Sequence, residues 1–144
     1  MVLKRRLVGY GAVLFSCFAW GSVWAQTAVE ERISLDDARR LHLAGNAVLI
    51  DIREPEEHAA GVAPGAKLLP MSQLGQRLRE IPADPNTPVL LICRTQSRSS
   101  ATLRALRKQL GEQNYAHVRF VQGGMSQWAQ RGWPTVQPTG QAQP

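Results

Sequence analysis

Residues 88–111 read PVLLICRTQSRSSATLRALRKQLG. The run VLLIC (89–93) is continuously apolar and short, the pattern of a strand buried on both faces. From Ser99 to Leu110 the period changes to that of a helix. Leu103, Leu106 and Leu110 face one way, Arg104, Arg107 and Lys108 face the other, and Gly111 closes it. Between strand and helix lies a short polar loop that begins with a lone thiol, Cys93, flanked by Arg94 and Arg98.

The same alternation extends on both sides. AVLIDI (47–52) is a second apolar run, VRFV (118–121) a third strand, and AKLLP (66–70) a shorter one. Ser34 and Asp37 have capping-box spacing ahead of a helix carrying Leu35, Ala38 and Leu41, which stops at Gly45. REPEEHAAG (53–61) reads as a loop and short helix. Ser72 is expected to cap a helix with Leu74, Leu78 and Ile81 on one face, stopped by Pro82. GGMSQWAQRG (123–132) reads as a last short helix. Apolar strands alternating with helices predict a single α/β domain with a mostly parallel central sheet and helices on both faces. Ligands of such sheets bind beyond the carboxyl ends of the strands, where Cys93 sits.

The domain is expected to span residues 32–136, after a short tether at 26–31 and before a disordered Pro/Gln-rich tail at 137–144. Residues 1–25 read as a signal peptide. Lys4, Arg5 and Arg6 form the basic start, Leu7 to Ala25 the apolar stretch, and Val23-Trp24-Ala25 the cleavage motif. Cleavage near Ala25 would place the mature chain in the periplasm or otherwise outside the cytoplasm. A retained leader would make it a membrane anchor instead. Without the leader's three basic residues, 14 of the 17 remain against 11 acidic ones, a net of +3. That balance does not call for nucleic acid. Export also removes Cys17 and leaves Cys93 without a disulfide partner, so its thiol is either buried and inert or reactive and used. His42, His58 and His117 show no metal-ligand spacing, and neither metal nor cofactor is expected.

The loop after a strand and the first turn of the next helix present unpaired N–H groups and the positive end of the helix dipole. Such a nest stabilises an anion, here a Cys93 thiolate or a persulfide whose outer sulfur is charged, without a histidine base. Cysteine phosphatases also place a Cys in such a loop, but need C-x-x-x-x-x-R. Here Ser99 holds the arginine position and Arg98 falls one residue early. The loop is one residue short for a tetrahedral oxyanion, and a single sulfur fits it better.

At these residues the chain resembles the rhodanese (sulfurtransferase) domain family over about residues 32–136. DIREPEEHAAGVAPGA (51–66) is similar to the family's D-x-R-x-x-x-E stretch and its G-H-I-x-G-A element. ICRTQSRS (92–99) is similar to the six-residue loop C-R-x-G-x-R, and VQGGMSQWAQRGWPTV (121–136) to the closing G-G-x-x-x-W-x-x-x-G-x-P element. The short loop and leader together resemble small exported single-domain members. The resemblance implies a sulfurtransferase with Cys93 as nucleophile. Arg94, Thr95, Gln96, Ser97, Arg98 and Ser99 would form the substrate cradle, with Arg94 and Arg98 supplying charge that attracts anions. Asp51 and Arg53 would support it as a structural pair. The implied partners are a small sulfur-containing anion such as thiosulfate as donor, and cyanide or a thiol, a protein thiol included, as acceptor. A monomer is expected. A binding or thiol redox-sensing module is the alternative reading. Three positions depart from the family: Val62 for a histidine, His58 for an aromatic residue, and Gln96 for the loop glycine, where a left-handed backbone would strain any other residue.

Overall fold

The computed structural model describes residues 30–138. The leader, most of the tether and residues 139–144 of the tail lie outside them. In chain order the elements are β1 (Arg32–Ile33), α1 (Leu35–Leu43), β2 (Val48–Asp51), α2 (Pro55–His58), β3 (Lys67–Leu68), α3 (Leu74–Arg77), β4 (Val89–Ile92), α4 (Ser97–Leu110), β5 (Val118–Val121) and α5 (Gly124–Gln130). The five strands form one sheet in the order β1-β5-β4-β2-β3, and every pairing is parallel. This is the expected α/β architecture, with a sheet parallel throughout.

Period-two geometry sends alternate residues of each central strand into different cores. Leu49, Leu90 and Ile92 join Leu35, Ala38, Met125 and Trp128 beneath α1 and α5. Ile50, Val89 and Leu91 join Ile81, Leu103 and Leu106 beneath α3 and α4. Both faces are covered, which is why these strands carry no polar alternation.

Four expectations are corrected. β1 is a strand where no strand is expected, at the start of the expected domain: Arg32 and Ile33 pair with Phe120 and Val121 at the sheet edge. The helix expected after Ser72 is broken into 3₁₀ turns at Met71–Gln73 and Leu78–Glu80 around the four residues of α3. Ser72 caps nothing, because its N–H and hydroxyl both donate to the Glu54 carboxylate, at 3.1 and 2.7 Å. Arg107 does not face out. It is buried and reaches the carbonyls of Tyr115 and Val118 and the carboxylate of Glu31, the last at 2.7 Å. Finally, α4 starts at Ser97, two residues earlier than the apolar period indicates.

Ser34 caps α1 as its spacing predicts. Its hydroxyl accepts from the Asp37 N–H at 3.1 Å and donates to the Asp37 carboxylate at 2.8 Å. Val136 is held to the domain by two backbone hydrogen bonds with Val62, both 2.9 Å. Val62 therefore closes an apolar strand contact at the position where a histidine was the family pattern.

Candidate active site

Cys93 follows the last residue of β4, the sheet's central strand, and its side chain is 1% exposed. It belongs to the apolar cluster with Ile50, Ile52, Leu91 and Leu103. Its thiol is buried where the loop begins, whereas ready oxidation of a sensor calls for an exposed one. One polar group meets it: Ser99 Oγ, fully buried, lies 3.5 Å from Sγ. Ser99 also donates to the Gln96 carbonyl at 3.0 Å. That hydroxyl can accept from a thiol or turn its proton toward a sulfur anion.

The loop backbone is held from one side. Met125 N–H donates to the Cys93 carbonyl at 2.9 Å, and Ser126 N–H to the Arg94 carbonyl at 2.8 Å. The contact requires Gly124. Its φ is +56°, and a Cβ there would overlap the carbonyl oxygens of Cys93 and Thr95. The carbonyls of Cys93 and Arg94 are turned to α5, and the N–H groups of Arg94, Thr95 and Gln96 have no hydrogen-bond partner among the described residues. The first turn of α4 keeps its own as well, since Gln96 at the N-cap makes no side-chain hydrogen bond to it. The dipole of a 14-residue helix points its positive end at the same place.

Gln96 does not take a left-handed backbone. Its φ is −164° and ψ −13°, and among the described residues only glycines have positive φ. The strain expected from replacing the loop glycine is therefore absent.

Of the two loop arginines, only one is available to an anion. Arg94 is exposed, and no ion pair among the described residues involves it. Arg98, expected to attract the donor, is instead bound to Glu57 through two bonds of 2.6 Å. The Arg98 hydrogen bonds, set against partial burial, hold the Glu57 carboxyl down at about 2. Thr95, Gln96 and Ser97 line the exposed outer turn of the loop.

Asp51 and Arg53 form a buried pair at the end of β2. Arg53 Nη2 and Nε bond the carboxylate at 2.7 and 3.0 Å, and Nη2 also donates to the Gly61 carbonyl at 2.9 Å. Burial pushes the Asp51 carboxyl up, but the His58 imidazole facing it and the hydrogen bonds from Arg53 outweigh that, and the net direction is down. His58 is buried with Nε2 3.5 Å from Asp51 Oδ1, so the imidazole fills an aromatic's place and adds a polar edge. This cluster braces the Arg53–Gly61 segment and makes no hydrogen bond to the sulfur among the described residues. Next to the loop, a cleft of about 470 Å³ is lined by Glu57, Arg94, Met125, Ser126 and Trp133, with Arg53 behind them. Trp133 stands edge-on to Trp128 at 5.1 Å and carries the Arg39 and Arg131 guanidinium groups at 4.8 and 4.9 Å.

Two contributors had no assigned role on sequence grounds, Glu57 and Gly124. Each lies inside a quoted motif, but its function depends on a partner distant in sequence, 41 residues away for Glu57.

A parallel α/β sheet with a cysteine directly after its central strand, ahead of an uncapped helix, defines a class of α/β domains built around a cysteine loop. Within that class, the rhodanese-like domain family model matches residues 34–131, and the chain belongs to that family. It is 37% identical over 103 residues to a protein named sulfurtransferase from Allochromatium vinosum, covering 72% of this chain and 91% of that one. Among solved structures, a rhodanese-related protein from Thermoplasma volcanium matches with a TM-score of 0.62 at 26% identity, over 74% of this chain and 97% of the other. The 30 kDa polysulfide-sulfur transferase homodimer of Wolinella succinogenes matches with a TM-score of 0.60 at 27% identity, over 81% and 85%.

Proposed function

We propose that this chain is an exported sulfurtransferase that carries sulfane sulfur as a persulfide on Cys93. The observation that carries the reading is the Cys93 sulfur at the floor of a loop whose carbonyls are tied to α5, with the uncapped first turn of α4 and the Ser99 hydroxyl beside it. The names of the Allochromatium and Wolinella relatives support the reaction class.

With thiosulfate as donor, the Cys93 thiolate attacks the outer sulfur. A Cys93 S–S bond forms, the donor's S–S bond breaks, and sulfite leaves with that bond's electron pair. An acceptor thiolate or cyanide then attacks the outer sulfur of the persulfide, and Cys93 leaves as the thiolate. No net oxidation occurs, and two half-reactions through a covalent intermediate give ping-pong kinetics. The N–H nest and Ser99 stabilise the sulfur anion present at both stages. The basic start of Lys4, Arg5 and Arg6, the apolar stretch after it and the Val23-Trp24-Ala25 motif support cleavage and action outside the cytoplasm, so the mature N-terminus should be Gln26.

The test is the mass of the protein after incubation with thiosulfate. A gain of about 32 Da, the mass of one sulfur, that cyanide removes and Cys93→Ser never shows is the expected result. Transfer by Cys93→Ser within about tenfold of wild type would refute covalent catalysis at this residue.

A further inference from the structure

Arg98 is the sixth residue of the cysteine loop, and its charge is already spent. Nη1 meets Glu57 Oε2 and Nη2 meets Glu57 Oε1, both at 2.6 Å, in a parallel two-bond pair. The pair is about one-third exposed, at 32 and 31%. Glu57 cannot swing away freely, because its Oε2 also accepts from the Glu54 N–H at 3.1 Å. The same carboxylate forms part of the wall of the cleft that Arg94 also lines. Its hydrogen bonds to the Glu57 carboxylate raise the Arg98 guanidinium above its ordinary value against partial burial, and charge on Glu57, on Cys93 and on Glu54 adds to that. Arg98 adjoins Ser99, whose Oγ lies 3.5 Å from the Cys93 sulfur, so Arg98, Glu57 and the sulfur lie within one another's electrostatic reach.

We propose that Glu57 is a specificity-determining residue of this loop: by occupying Arg98 it sets the charge an incoming donor meets, and it disfavours dianionic donors relative to less charged ones. A dianion must either displace the carboxylate from Arg98 or rest beside it. A monoanion meets half that repulsion and a neutral reagent none. With Glu57 in place, Arg94 and the backbone nest are the attraction left. Selection among donors rests on the sulfur-transfer reading, but the charge effect on Cys93 does not.

Alkylation of Cys93 reads that charge without any sulfur transfer. Iodoacetate and iodoacetamide are close in size and react alike: an S–C bond forms, the C–I bond breaks, and iodide leaves. Access and nucleophilicity are common to both, so the ratio of their rates isolates the charge. In Glu57→Gln the amide oxygen can still accept from the Glu54 N–H, while Arg98 is freed. The iodoacetate-to-iodoacetamide ratio should rise about tenfold at low ionic strength and return toward wild type in about 1 M salt. The KM for thiosulfate should fall by a similar factor, and that for a monoanionic thiosulfonate by less. Should Glu57→Gln fail to fold, Arg98→Gln carries the test. It leaves Glu57 unneutralised and should push the ratio below wild type. An unchanged ratio, or one that falls in Glu57→Gln because Arg98 is no longer aimed at the anion, overturns the proposal. A raised ratio in a protein that transfers sulfur from no donor would refute the sulfur-transfer reading and leave Glu57 as a charge filter on Cys93.

Discussion

Gly124 is the point at which the last helix touches the cysteine loop, and Gly124→Ala tests whether that contact shapes the site. Two costs add. At φ +56° an alanine is in the left-handed region, which costs about 1 kcal/mol. Its Cβ would also overlap the carbonyl oxygens of Cys93 and Thr95. These are backbone atoms that cannot rotate aside, and forcing them apart costs about 1–3 kcal/mol. The sum, about 2–4 kcal/mol, lowers the Tm of a domain this size by roughly 10–25 °C. Gly132→Ala is the internal control. Gly132 has φ +65° and open space within 4 Å of where a methyl group would stand, so only the first cost applies. The two variants, compared by thermal melts and by the Cys93 alkylation rate, separate backbone strain from displacement of the loop. Gly124→Ala should be the less stable and should change Cys93 reactivity, whereas Gly132→Ala should leave reactivity as it is. Equal Tm losses with equal reactivity would show that the approach of α5 does not constrain the loop.

Asp51→Ala strands the buried Arg53 guanidinium without its carboxylate and should destabilise the fold by about 3–5 kcal/mol in urea titration, through the fold alone. Ser99→Ala removes the hydroxyl beside the sulfur; since the Gln96 carbonyl keeps the Ser100 N–H, the fold should lose only about 1 kcal/mol while single-turnover sulfur transfer slows roughly tenfold. Gln96→Gly relieves no strain, because φ is already −164°; it should leave stability unchanged or lower it by up to about 1 kcal/mol through the unfolded chain, and a stabilised variant in thermal melts would contradict the loop geometry. Glu57 is held at about 2 in the fold against an ordinary 4.5. A lowered carboxyl contributes stability that is complete above the ordinary value and lost as pH falls through the folded one. The wild-type Tm should therefore drop between pH 4.5 and 2 more steeply than that of Glu57→Gln.

The strands were legible because their burial is two-sided. Leu90 and Leu91 point to opposite cores, so both positions must be apolar and the run stands out in one dimension. β1 was not, because one buried residue, Ile33, is all the signal it carries, and its pairing with Val121 is set by a contact far along the chain. Arg107 illustrates the same limit for charge. Its position on α4 reads as solvent-facing, and what buries it is a set of acceptors on β5, on the turn before β5 and on Glu31. Helical period orders the residues of one element, but partners from other elements decide which polar ones go inside. Ser72 differs from Ser34 in that respect alone: both read as caps, and only Ser72 has a distant carboxylate competing for its hydroxyl.

The candidate site divides along the same line. Local order along the chain supplies the strand, the cysteine that follows it and the length of the loop, and those were readable around Cys93. The charge at the site is a sum over elements and was not readable. Counting Arg94 and Arg98 from the sequence gives two cations, whereas the folded loop presents one, because α2 brings Glu57 against Arg98. The buried Asp51–Arg53 pair adds no net charge either. An anion approaching Cys93 is therefore drawn by Arg94, by backbone N–H groups and by the dipole of α4. Backbone donors do not distinguish a dianion from a monoanion as sharply as a second free guanidinium would. The selectivity of this loop for its donor is thus carried by a carboxylate outside the loop, at a position that spacing around the cysteine does not reveal.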